Sequence, residues 1–183
     1  KHIIHGGDFF DNRQHLSIKT LKHIQDEFIP LMIENPDIQM HIILGNHDIL
    51  YRNRLDYNSV EPLLSGLPNI HIYSEFTELN DEILLCRWIV PTEVEKAVKL
   101  IKKSKLKYCI GHFELLGFEV TKGITSFHGL ESKVFNKFNK VLSGHYHRKS
   151  KKGNIHYLGT PLSLSFGEYD TEHGYHILDT DND

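Results

Sequence analysis

Four short Gly-led clusters, each placed directly after an apolar run, constrain this chain more than any other feature. They are Gly7-Asp8-Phe9-Phe10-Asp11, Gly45-Asn46-His47-Asp48, Gly111-His112 and Gly144-His145-Tyr146-His147. An apolar run that ends in glycine reads as a buried strand whose chain turns sharply at its C-terminal end. In open α/β sheets that is the end where sites form. The clusters therefore predict strands whose carboxyl ends bring Asp, Asn and His side chains to one crevice. Taken singly, each cluster also fits a turn or a helix-capping loop. The ordered set of four is what carries the chemistry.

The rest of the pattern fits an α/β fold. Residues 2–5 form the first strand. Residues 17–34 place Ile18, Leu21, Ile24, Phe28 and Leu31 at helical spacing, with Ser17 as N-cap and a kink expected at Pro30. Residues 40–44 form the next strand, and 57–66 a shorter helix stopped by Gly-Leu-Pro. Further strands are expected at 70–73, 83–90, 108–110, 140–142, 155–158 and 175–178, with an amphipathic helix at 92–104. The early β-α-β order and the strand-rich final third predict a second sheet packed on the first.

Composition sets the outer bounds. A chain of 183 residues is read as one domain with one sizeable core. It has no run of about 18 apolar residues and no signal-peptide pattern. Its two cysteines, Cys86 and Cys109, lie inside apolar runs and read as small buried hydrophobes. Those features fit a cytoplasmic setting. A net charge of −3 offers no global basic field for nucleic acid, so any such role must be local.

The side chains in the clusters suit a metal pair. A carboxylate such as Asp8 can bridge two cations. Asn46 offers a neutral oxygen, and His112, His145 and His147 offer ring nitrogens. In an extended segment His145 and His147, two apart, point the same way. Mixed N/O ligation without thiolate suits Mn, Fe or Zn better than Ca or Mg. Two such ions about 3.5–4 Å apart would clamp a phosphoester. His47, beside Asn46, is suited to protonate the leaving oxygen, with Asp48 to orient it.

At this point the chain resembles the calcineurin-like metallophosphoesterases, whose signature runs Asp-x-His, Gly-Asp-x-x-Asp, Gly-Asn-His-Asp/Glu, Gly-His, Gly-His-x-His. Softer motifs resemble the SbcD/Mre nuclease branch, above all its phage-type recombination exonuclease subunits. They are His112-Phe113-Glu114-Leu115 with Gly117-Phe118, then His128-Gly129-Leu130-Glu131. Tyr157-Leu158-Gly159-Thr160-Pro161 and Ser165-Phe166-Gly167-Glu168 complete the set.

The resemblance implies a two-sheet sandwich flanked by helices, four layers in α/β/β/α order. It implies Asp8 as bridging ligand, Asn46, His112 and His145 on one metal, His147 on the other, and His47 as the catalytic histidine. It implies two divalent ions, Mn first and Mg, Fe or Zn as alternatives. The implied activity is exonucleolytic or endonucleolytic hydrolysis of DNA phosphodiesters in recombination and repair. The implied setting is a bacterium or a phage-infected host cell. The implied partners are DNA, an SMC-like coiled-coil ATPase of the SbcC type, and a second copy packed through helices 17–34 and 57–66.

One departure is plain: no Asp-x-His triplet precedes Asp8. The expectation is a phosphoesterase domain over residues 1–183 lacking its N-terminal strand and a capping domain, with the His147 ion keeping only Asp8 and His147. Two other functions stay open, a protein or nucleotide phosphatase on the same metal pair and, for residues 1–183 taken alone, an inactive scaffold of the same fold. Arg148, Lys149, Lys151 and Lys152 fit either DNA phosphate contacts or a solvated loop. Phe113, Tyr146 and Phe166 fit either base stacking or core packing, with core expected for at least two. Trp88 is expected in the core.

Overall fold

The computed structural model describes residues 1–182. Strands β1 (His2–His5), β2 (Gln39–Ile43) and β3 (Ile70–Tyr73) form a three-stranded parallel sheet in that order. A six-stranded sheet holds β4 (Thr77–Leu79), β5 (Ile83–Cys86), β6 (Tyr108–His112), β9 (Lys140–Gly144), β10 (Ser150–Lys152) and β11 (Ile155–Tyr157). Its order is β10-β11-β9-β6-β5-β4, with β5, β6, β9 and β11 parallel. The hairpin β7 (Glu119–Thr121) and β8 (Ile124–Thr125) stands apart.

Period-two alternation explains the layering. Ile43 of β2, Ile83 and Leu85 of β5, Tyr108 and Ile110 of β6, and Leu142 of β9 meet between the two sheets, joined by Ile4 and Tyr73. The opposite face of the small sheet, Met40, Ile42 and Leu44, packs on the helices through Ile24, Met32 and Leu64. The opposite face of the large sheet, Leu84, Cys86, Cys109 and Val141, packs on Ile101 and Phe135. The result is the expected four-layer α/β/β/α sandwich. Both faces of β5 and β6 are apolar, so a one-residue slip would exchange two cores rather than core for solvent. The pairing partners and the strand-end loops must therefore set the register.

Several element bounds differ from expectation for identifiable reasons. Residues 17–34 are helical, and Thr20 N donates to Ser17 Oγ (3.0 Å) as an N-cap should. The disturbance expected at Pro30 is a π segment (Ile24–Phe28) between α1 (Ile18–His23) and α2 (Ile29–Glu34). Pro30 has no N–H for the Asp26 carbonyl, and widening the preceding turn absorbs that loss. The helix expected at 57–66 shrinks to α3 (Glu61–Leu64), because the Asn58 side chain caps the amides of Val60 and Glu61 (3.2 and 2.9 Å). The helix expected at 92–104 is α4 (Val94–Lys103) behind a 3₁₀ turn, Pro91–Glu93.

The strand expected at 83–90 stops at Cys86. There Trp88 N donates to Leu44 O (2.7 Å), which pulls the chain from its own sheet toward the end of β2. The strand expected at 175–178 is absent. Tyr175 and Ile177 are exposed, and His176 Nε2 bonds the Leu158 carbonyl (3.0 Å) without a ladder forming. The cysteines are buried and free, as expected.

Candidate metal centre

The parallel strands place the C-terminal ends of β1, β2, β5, β6 and β9 along one edge of the sandwich. Asp8 follows β1, Asn46 and His47 follow β2, Trp88 follows β5, His112 ends β6, and His145 follows β9. Close approach of these loops depends on glycine. A Cβ at Gly45 would run into the Asp8 carboxylate, and one at Gly7, where φ is +91°, into the His112 ring. Asp8 and His145 themselves sit at φ +55° and +87°. A side-chain-bearing residue there costs of order 1–3 kcal/mol, so the surrounding contacts must hold both in place.

Asp48 supplies the strongest of those contacts. Its Oδ2 accepts from Asp8 N (2.8 Å) and Gly45 N (2.7 Å), and its Oδ1 from Phe9 N (2.8 Å) and Phe10 N (3.3 Å). The buried carboxylate thus ties the loop after β1 to the loop after β2 and imposes the left-handed turn at Asp8. The expectation that Asp48 orients His47 is corrected. Both of its oxygens are spent on backbone amides, and His47 Nδ1 instead donates to the Asp11 carbonyl (2.5 Å).

Four donor atoms then converge. His112 Nε2 lies 2.9 Å from Asn46 Oδ1 and 3.2 Å from Asp8 Oδ2. His145 Nδ1 lies 2.9 Å from Asn46 Oδ1 and 3.2 Å from His112 Nε2. Asp8, His112 and His145 form a group whose ligand atoms all lie within 4.8 Å of one another.

The protonation of these groups shows what the site demands. His112 Nδ1 donates to the Gly6 carbonyl (2.7 Å), which leaves Nε2 as the atom facing Asp8 and Asn46. Nε2 then faces the Asp8 carboxylate and the Asn46 amide, an arrangement that a positive charge stabilises. Without an ion, that charge is a proton. Burial opposes protonation of His112, but the Asp8 carboxylate and the Gly6 carbonyl outweigh it and raise its pKa. Burial likewise pushes Asp8 up, and the His112 bond and the His47 amide overcome it to leave a pKa of about 2. Burial and then His112 drive His145 down to about 3, so its ring is neutral. One carboxylate, one amide oxygen and two imidazoles packed this way fit a divalent cation well.

His147 is not part of this cluster. The backbone turns at His145, so the two histidines do not point the same way as an extended segment would require. His147 Nδ1 instead bonds Glu168 Oε1 (2.7 Å), which leaves its Nε2 available as a ligand atom. Glu168 also accepts from Leu164 N (2.8 Å). Burial works to raise its pKa, but that bond and His147 lower it overall.

Some site features escaped the sequence reading. Trp88, expected in the core, packs on His112 and His145 with ring centroids 5.9 and 5.1 Å apart. Its place after β5 was a signal of the same kind as the Gly-led clusters. The Gly6 and Asp11 carbonyls that orient two histidines have no sequence signature. Phe113 and Tyr146 are core residues and Phe166 is fully exposed, so two of the three aromatics pack inside as expected. Arg148 and Lys149 are engaged by Asp170 (3.1 Å) and Glu172 (2.8 Å).

Comparison with known proteins agrees with this geometry. The chain is 33% identical over 180 residues to exonuclease subunit 1 of Enterobacteria phage T4, covering 97% of this chain and 52% of that protein. It thus spans about half the length of the curated relative it matches. The sequence profile for calcineurin-like phosphoesterases matches residues 1–149. The chain belongs to the calcineurin-like phosphoesterase family.

Proposed function

We propose that residues 1–183 act as one phosphoesterase domain that hydrolyses phosphodiester bonds in DNA, as an exonuclease or endonuclease subunit. The observation that carries this reading is the convergence of Asp8, Asn46, His112 and His145 on one point, at a site that demands positive charge. The likeness to a phage exonuclease subunit supports DNA over a protein or nucleotide substrate.

In this reading Asp8, Asn46, His112 and His145 hold one divalent ion, manganese first among the candidates. Asp8 and His147 contribute to a second. A divalent ion held there supplies Lewis acidity toward the phosphoryl oxygens and activates water. Asp48 fixes the Asp8 and Asn46 loops so that neither ligand must be ordered at the moment of binding. Gly6 O and Glu168 each bond one nitrogen of a liganding histidine and leave the other for the metal. His47, with Nδ1 committed to Asp11 O, keeps Nε2 to hand a proton to the leaving oxygen. Trp88 packs on the rings of His112 and His145 and helps hold them in place.

The wider assignment extends the motif resemblance to the SbcD/Mre branch: a role in DNA recombination or repair, in a phage-infected or bacterial cytoplasm, beside an SMC-like coiled-coil ATPase subunit. Among the described residues no helix is long and apolar enough to cross a membrane. A homodimer through residues 17–34 and 57–66 is supported by exposed Ile18, Leu31, Ile33 and Tyr57.

The test is calorimetric titration of the purified chain with Mn²⁺, alongside hydrolysis of linear duplex DNA and of bis-p-nitrophenyl phosphate. One tight ion per chain is expected, from the four-donor site. His145→Ala should weaken it by at least about tenfold, the scale of a lost ligand or ligand support. Unchanged binding in that variant would remove the basis of the assignment.

A further inference from the structure

His147, Arg148 and Lys149 follow one another directly after the metal cluster. Three acids of a single short segment meet them. Glu168 bonds His147, Asp170 Oδ1 accepts from Arg148 (3.1 Å), and Glu172 Oε2 accepts from Lys149 (2.8 Å). The order is kept, so 147, 148 and 149 pair with 168, 170 and 172. Asp170 also receives Lys122 from the β7–β8 hairpin, and Arg148 lies 3.8 Å from Glu119 of that hairpin. The segment is secured at its far end: Thr171 Oγ1 donates to Glu168 O (2.8 Å), and Gly174 N donates to Thr160 O (3.3 Å). A cleft of about 420 Å³ runs alongside, lined among others by Arg148, Lys149, Lys151, Asp170 and Glu172.

This arrangement does little for the fold. Exposed ion pairs on long side chains contribute little stability and yield to salt. Its larger effect is on access, because the cations that directly follow His147 in the chain have their charge already matched. A phosphate backbone reaching the site must take Arg148 and Lys149 from carboxylates that are held by one turn of chain.

We propose that Asp170 and Glu172 form an acidic strap that occupies Arg148 and Lys149 and gives them up to the phosphate backbone of a nucleic-acid substrate, while Glu168 stays on His147. This rests on the phosphodiesterase reading of the site. The strap sets a threshold: weak or short polyanions leave it closed, and a strand long enough to engage both cations and the metal centre opens it.

The test uses Asp170→Asn with Glu172→Gln in the full chain, which removes two negative charges without touching Glu168. Glu78→Gln with Glu95→Gln, two exposed acids outside the strap and outside residues 17–34 and 57–66, matches the charge change. Elution from heparin and binding of a fluorescent single-stranded oligonucleotide in EDTA are measured for each. The strap variant should elute at higher salt than the control. It should bind the oligonucleotide about tenfold more tightly near 0.1 M salt. Its log–log salt slope should be steeper by about 1.4, two further cations at ~0.7 each. Adding Arg148→Gln and Lys149→Gln should erase the gain. Equal heparin elution of strap variant and control would overturn the proposal. A heparin shift without any DNA binding or cleavage would leave the strap standing and overturn the nuclease reading instead.

Discussion

Replacing Asp48 by Asn tests whether a single buried carboxylate builds the metal centre. Asp48 accepts four backbone amides, two on each oxygen, at 2.7 to 3.3 Å. Asparagine offers one oxygen, and its NH₂ group would face the other two N–H donors. A buried amide left unpaired costs about 1–3 kcal/mol, so two orphaned amides cost roughly 2–6 kcal/mol. Burial already raises the pKa of Asp48, with the neighbouring Asp8 charge adding to it, so the neutral side chain recovers part of that penalty. We expect a net loss of about 3 kcal/mol. Urea unfolding in EDTA measures it directly, since a domain of this size has only about 5–15 kcal/mol in all. The same variant should bind Mn²⁺ at least tenfold more weakly, because Asp8 and Asn46 stand on the two loops that Asp48 joins. A loss below about 1 kcal/mol with unchanged metal affinity would show that the loops are held by other contacts and refute this account.

Two other outcomes follow from the geometry. His47→Ala should keep its metal but lose about 10²-fold or more in phosphodiester turnover, the scale of a lost general acid. Loss of the bound ion in elemental analysis would make His47 a ligand instead. His41, far from the site, is held down to a pKa of about 4 by burial and then by His71 and His2. Between 6.5 and 4 the unfolded chain binds the extra proton and the folded chain does not, so its stability must fall as pH drops through that window. The loss at pH 5 is about 1–2 kcal/mol relative to pH 7, allowing for the partly exposed edge of the cluster. His41→Gln should reduce it, and equal pH dependence of wild type and variant in chelator would refute the assignment.

What was legible in the sequence was periodicity and punctuation. Short apolar runs such as Ile42-Ile43-Leu44 forecast buried strands, and glycine after such runs forecast the strand-end loops. What was not legible depends on contacts between distant backbone atoms. Asp48 looked like a partner for its neighbour His47, yet its four donors come from residues 8, 9, 10 and 45. His145 and His147 looked alike at spacing two, but a φ of +87° at His145 sends them to different partners. Residues 175–178 had strand composition, yet no ladder forms there and the His176 side chain bonds the Leu158 carbonyl instead. Composition states what a segment could bury, while pairing depends on whether an edge is within reach.

The site also bears on how the sandwich stays closed. Asp8 and Asn46 are carried by the three-stranded sheet, His112 and His145 by the six-stranded one. Between the sheets lies an apolar core that is indifferent to small sliding, since aliphatic contacts are not directional. Along the strand-end edge the constraints are directional: His112 Nδ1 to Gly6 O across the sheets, Trp88 N to Leu44 O, and the four-donor cluster itself. These fix the offset of one sheet on the other to within a hydrogen bond's tolerance. A cation gripped by ligands from both sheets would therefore bind the aligned arrangement better than any slipped one and stabilise it by mass action. The chemistry of the site and the alignment of the fold depend on the same few atoms. That accounts for the left-handed backbone at Asp8 and His145 and for the burial of Asp48 and His112 at this edge.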